Sequence, residues 1–130
     1  MISDFYIRIP FFSLLAVCFI LHIIADFNLQ GMLGSLKQKA WWQNNYPKDL
    51  YQNDYKTAGW IHAIFWSMFT FLPLVGSDLY FATCLWNAPA HYLVDHLKAN
   101  RRSISLTTDQ TIHIIQIVST IISFKLVVTL

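Results

Sequence analysis

The stretch IPFFSLLAVCFILHIIADF, residues 9–27, decides how this chain is read. It is apolar on every side of a helix and long enough, at about 1.5 Å per residue, to span a hydrocarbon core of about 30 Å. A signal peptide would lead into a small-residue cleavage site. This run ends in His22 and Asp26 instead, so it reads as a retained helix. Three further runs have spanning length, at residues 58–75, 79–97 and 109–130. Together they predict an all-α, polytopic membrane protein: one four-helix transmembrane domain over residues 1–130, with a long loop at 28–57.

Composition points the same way. The 130 residues are 55% hydrophobic and 12% charged, about half the charged share of an average soluble domain, and mean hydropathy is +0.43. All seven acidic residues are aspartate, so the Glu–Lys pairs that solvate the faces of soluble bundles are missing. A net charge of +2 without a basic run among aromatics excludes a nucleic-acid partner. Cys18 and Cys84 lie inside apolar runs without CxxC spacing and read as two buried free thiols.

Local signals punctuate the helices. Gly76-Ser77-Asp78 predicts a tight turn, Pro73 closes the second helix, and Pro89 removes a hydrogen bond within the third and bends it. Thr107 and Gln110 have capping-box spacing and predict the start of the fourth. The long loop carries Trp41, Trp42, Tyr46, Tyr51 and Tyr55 among lysines and amides. Such rings favour the headgroup layer, which predicts a short interfacial helix bearing Trp41 and Trp42.

Basic residues set the orientation. Lys37, Lys39, Lys48 and Lys56 lie in the first loop and Lys98, Arg101 and Arg102 in the third, seven of the nine in the chain. Only Arg8 and Lys125 fall on the other side. The positive-inside rule then predicts a multi-pass protein of the inner (cytoplasmic) membrane with both termini outside.

On that topology the polar residues gather at one depth. His22 and Asp26 end the first helix, His62 starts the second, His91 and Asp95 end the third, and Asp109 and His113 open the fourth. Each His/Asp pair is four apart and shares a helix face. Polar stripes extend along Tyr80, Cys84, Asn87, His91 and Asp95, and along Asp109, His113, Gln116, Thr120 and Ser123. Lipid cannot satisfy such groups, so the stripes should meet inside the bundle. His96 faces about 100° from Asp95 and reads as a surface residue. Imidazole with carboxylate is a ligand set for a divalent transition metal: zinc first, manganese or iron next. Three pairs exceed what one tetrahedral ion needs, leaving room for two ions or for carboxylates that orient the histidines.

These motifs also carry a resemblance. His22-Ile-Ile-Ala-Asp26-Phe27-Asn28-Leu29-Gln30 resembles the HxxxDFxLQ signature of a family of small bacterial and phage membrane proteins, catalogued as a domain of unknown function. His62, the HxxxDxxK of residues 91–98 and the DQxxH of residues 109–113 follow in that family's order. The resemblance implies the fold and the site residues, and supplies no activity. The HxxxD helices are loosely similar to intramembrane metal-dependent hydrolases, a likeness at the level of fold alone.

Two function classes follow. One is a metal-dependent hydrolase of a lipid or other amphiphile, its ion held among His22, Asp26, His62, His91, Asp95, Asp109 and His113. A spare aspartate among Asp26, Asp95 and Asp109 would act as general base, and Lys98, Arg101 and Arg102 would draw in an anionic headgroup. The other is a non-enzymatic membrane protein: a proton or ion conduit, or a regulatory module binding a membrane-protein partner, with the cluster a hydrogen-bond network. Self-association into a homo-oligomer fits either. A closed outer half and a cytoplasmic pocket would favour the enzyme.

Overall fold

A computed structural model describes the backbone of residues 2–130 and the side chains of residues 5–130. The described chain is all-α, without a strand. Helix α1 is Ile2–Arg8, and Pro10 separates it from α2, Phe11–Ile23. A widened turn, Ile24–Asn28, continues α2, closed by Leu29 N–H donating to the Ile24 carbonyl at 2.9 Å. Such five-residue turns recur at functional sites because they re-aim side chains. Here the turn buries Ala25 and Asp26, and the Gln30 amide reaches back to the Asp26 carbonyl.

The segment expected as a loop folds into α3, Leu33–Leu36, and α4, Lys39–Asn45, followed by a tight helical turn at Asp49–Tyr51. Trp41 and Trp42 do sit on a short helix. They pack edge to face, and the Trp42 indole donates to the Leu36 carbonyl at 2.6 Å. Helix α5, Asp54–Thr70, starts four residues before the expected run and ends five before it, because Pro73 forces Leu72–Leu74 into a tighter turn. Helix α6, Tyr80–Ala99, runs on through Pro89.

Helix α7, Leu106–Val128, starts earlier than the sequence suggested, and its cap differs. Ser105 accepts from the Thr108 N–H at 3.1 Å, so the box at Thr107 and Gln110 does not form. The α7 stripe meets the α6 stripe at Asn87, to which half-buried Gln116 and Thr120 donate at 2.9 and 3.1 Å, and leaves the interior only at its end. The residues buried below His113 are Ile117, Ile121 and Phe124, while Ser123 is exposed. His96 is half-buried rather than on the surface, stacked near Tyr55 and Tyr92.

Two helical spans, Phe11–Asn28 and Leu106–Val128, are long and apolar enough to cross a membrane. Only 28% and 22% of their residues are buried, whereas the core helix of a soluble protein is mostly buried. Helices α5 and α6 do not meet that standard. The first has 17 residues, and the second gives much of its length to Asn87, His91, Asp95, His96 and Lys98.

The core is drawn from α1, α2, α5, the turn after it, α6 and α7: Tyr6, Leu14, Cys18, Trp66, Phe71, Leu74, Tyr80, Cys84, Ile117, Ile121 and Phe124. Cys18 and Cys84 are buried free thiols. The Lys125 ammonium donates to the Tyr6 and Ile9 carbonyls at 2.5 and 2.6 Å, tying the end of α1 to α7.

Helices α5 and α6 approach closely where α5 has no side chain. A Cβ on Gly59 would stand 2.8 Å from Tyr92 Cε2, and the Tyr92 ring stacks on Trp60 with centroids 4.5 Å apart. Gly59→Ala should therefore cost about 1–3 kcal/mol through overpacking. Thermal unfolding in detergent would show it, with Gly59→Ala/Tyr92→Leu regaining much of the loss. An unchanged melting temperature in the single variant would mean the helices do not meet there.

Candidate metal centre

Four helical elements bring the expected residues together: Asp26 from the widened turn, His62 from α5, His91 and Asp95 from α6, and Asp109 and His113 from α7. All six are at most 5% exposed. The first group is Asp26, His62, His91 and Asp95. His62 Nε2 lies 3.2 Å from His91 Nε2, and 3.4 Å from both Asp26 Oδ1 and Asp95 Oδ2. His91 Nε2 lies 3.9 and 3.6 Å from the same two oxygens.

Those distances separate two arrangements. A hydrogen-bond network needs nitrogen–oxygen contacts of about 2.7–3.2 Å. Two ligands of one tetrahedral ion, each bonded at about 2.0–2.1 Å, stand roughly 3.3–3.4 Å apart. The four nitrogen–oxygen separations, 3.4 to 3.9 Å, are longer than such contacts, and the two shortest match the edges of a ligand tetrahedron, while the 3.2 Å between His62 and His91 suits either arrangement. Two imidazoles and two carboxylates can thus hold a metal ion. A second group, Asp26, Asp109 and His113, adjoins the first.

Charge favours a cation as well. Three buried carboxylates face two ammonium groups: Lys37 Nζ lies 2.5 Å from Asp95 Oδ2, and Lys98 Nζ lies 2.7 Å from Asp109 Oδ2. For the third negative charge the only neighbours able to turn positive are imidazoles, His113 among them at 3.5 and 3.6 Å from Asp109 and Asp95, so a proton on a ring or a metal ion must balance it.

His22 belongs to neither group. An indole N–H can only donate, so the Trp66 bond to His22 Nδ1, 2.9 Å, leaves the imidazole proton on Nε2. That proton is donated to Gln110 Oε1 at 3.1 Å, which turns the Gln110 amide nitrogen toward Asp26 Oδ2, 2.8 Å, and Asp109 Oδ2, 3.0 Å. His22 therefore orients two carboxylates through Gln110. Trp66 also stacks on His91, with centroids 3.9 Å apart.

A polar cavity of about 330 Å³ opens beside the centre, lined by Gln30, Lys37, Asp95, Lys98 and Arg102 among others. Asp95 belongs both to this wall and to the cluster. Arg101, expected with Lys98 and Arg102, is exposed and lines no part of it. Sequence reasoning missed Lys37, Trp66 and Gln110 as site residues. Gln110 carried a signal, its place in the DQxxH motif, but was read as a cap. Nothing distinguished Lys37 from the other loop lysines.

No family model, curated protein or solved structure matches the chain, and the resemblance described above rests on its motifs.

Proposed function

We propose that this protein is a four-span protein of the inner membrane that binds a divalent transition metal between its helices and uses it to hydrolyse a lipid or other amphiphile. The observation that carries the reading is the convergence of buried His62, His91, Asp26 and Asp95, whose ligand atoms lie within 4.8 Å of one another. A set of two nitrogens and two oxygens suits zinc, with manganese or iron as alternatives. Four protein ligands would fill a tetrahedron, so the ion would supply a nucleophilic hydroxide only with a fifth position or with one carboxylate released.

The distribution of side chains supports the membrane. Polar groups are buried and large apolar ones point outward, the reverse of a protein in water. Trp60, Ile61, Ile64 and Met68 of α5 are exposed, as are Phe81, Leu85, Trp86 and Leu93 of α6. In this reading α5 and α6 also cross, their polar faces hidden against α2 and α7. The seven-to-two division of basic residues then orients the site toward the cytoplasm with both termini outside.

The surroundings favour an enzyme over a conduit. The cavity wall has Lys37, Lys98 and Arg102 for an anionic headgroup, beside apolar helix faces that suit acyl chains. On the far side of the cluster, Phe71, Leu74, Ile117, Ile121 and Phe124 are buried together. The polar side chains on that side, Ser67, Thr70, Asn87, Gln116 and Thr120, are hydroxyls and amides, none of them a carboxylate or imidazole that would relay a proton.

The test is elemental analysis of the full chain purified in detergent from the membrane fraction. We expect bound zinc, manganese or iron in the wild type, more weakly held in His22→Ala and lost in His62→Ala/His91→Ala. Recovery from the soluble fraction, or a metal-free wild type after growth in replete medium, would sink the reading.

A further inference from the structure

The first group accounts for only part of the buried ligand set. Asp109 Oδ1 and His113 Nε2 are buried, and neither has a hydrogen-bond partner among the described residues. They face each other at 3.5 Å. Asp95 Oδ1, the oxygen turned away from His62 and His91, lies 3.6 Å from the same His113 nitrogen. Asp26 lies within reach of this group as well as the first. Two carboxylate oxygens and a ring nitrogen thus converge without bonding one another, at separations again too long for hydrogen bonds.

We propose that the centre holds two metal ions, the second bound by Asp109 Oδ1 and His113 Nε2 and joined to the first by the carboxylates of Asp95 and Asp26. This deepens the proposed function and rests on it. Asp95 presents Oδ2, whose other lone pair accepts from Lys37, to the first group and Oδ1 to the second, the arrangement of a bridging carboxylate. Bridged ions in hydrolytic sites stand about 3.5–4 Å apart and stabilise both the attacking and the leaving oxygen. Asp109 is prepared for a single-oxygen bond: Lys98 and Gln110 hold its Oδ2, leaving Oδ1 to the ion.

Proton placement makes the second ion the weaker of the two. Rings that ligate through Nε2 carry their protons on Nδ1, and His91 Nδ1 lies only 3.2 Å from His113 Nδ1. Gln116 offers the way out. Its amide nitrogen donates to Asn87 at 2.9 Å, so its Oε1 is turned to His113 Nδ1, at 3.5 Å. A small turn of the His113 ring closes that bond and relaxes the contact with His91. The first ion binds without this adjustment, and the second requires it.

Stripped full-length protein in detergent, titrated with Mn(II) and followed by electron paramagnetic resonance, decides between one ion and two. We expect two ions per chain in successive steps, with a spin-coupled spectrum appearing in the second. Asp109→Asn should saturate at one ion and give an uncoupled spectrum. Because that variant strands Lys98, Asp109→Asn/Lys98→Met serves as the partner-free control and should also bind one. Saturation of the wild type at a single ion would overturn this proposal alone and leave the first site standing. Two coupled ions in either Asp109 variant would also overturn it. Failure to bind any Mn(II), zinc or iron would remove both readings.

Discussion

Asp95→Asn should empty the centre. An amide brings no charge and only one acceptor oxygen, while Asp95 faces His62 and His91 with one oxygen and His113 with the other. Loss of a partner that merely orients a ligand costs about 10–100-fold in metal affinity, and loss of a shared ligand should exceed that range. The substitution also leaves the Lys37 ammonium, 11% exposed, without its carboxylate. Breaking a buried pair from one side costs about 3–5 kcal/mol, so the single variant should be less stable as well. Asp95→Asn/Lys37→Met separates the effects: it should recover much of the stability and still lack metal on elemental analysis. Normal metal content in that double variant would show that Asp95 is not a ligand.

Chelation should lower stability by nearly as much. An ion that binds only the folded chain, at about 1,000 times its dissociation constant, adds about 4 kcal/mol. Removing it leaves Asp26, Asp95 and Asp109 together with only Lys37 and Lys98 as neighbouring ammonium groups. Thermal unfolding in detergent should show a large drop with a chelator and recovery on adding zinc or manganese. His91→Ala should unfold at one temperature under both conditions. A wild type indifferent to chelator would mean that no ion supports the fold.

The helices and the cluster were legible because both depend on spacing within single segments. Runs of apolar residues marked α2 and α7, and the four-residue separation of His91 from Asp95 and of Asp109 from His113 placed each pair on one face. The structure brings both pairs into the centre. His22 and Asp26 have the same spacing, yet the widened turn at Ile24–Asn28 lies between them. Its longer hydrogen-bonded ring changes their relative direction, so Asp26 meets His62 while His22 meets Trp66 and Gln110. No sequence pattern announced that turn. Lys37 reaches Asp95 across 58 residues through α3, an element too short to have a period. The start of α7 departs from the Thr107 reading because Ser105 and Thr107 are both good caps, and half-buried Gln110 spends its amide on His22, Asp26 and Asp109.

Lys125 bonds the backbone of Tyr6, 119 residues earlier, and Gln110 links to His22 across 88. On a ribosome working from the amino end, these contacts must wait until α7 has been made. The residues of the first group, Asp26 to Asp95, have all been made before α7 exists, whereas Asp109 and His113 arrive with it. The nascent chain therefore acquires the two groups of candidate ligands in two instalments, and α7, as it emerges, both completes the cluster and fastens α1 to the bundle.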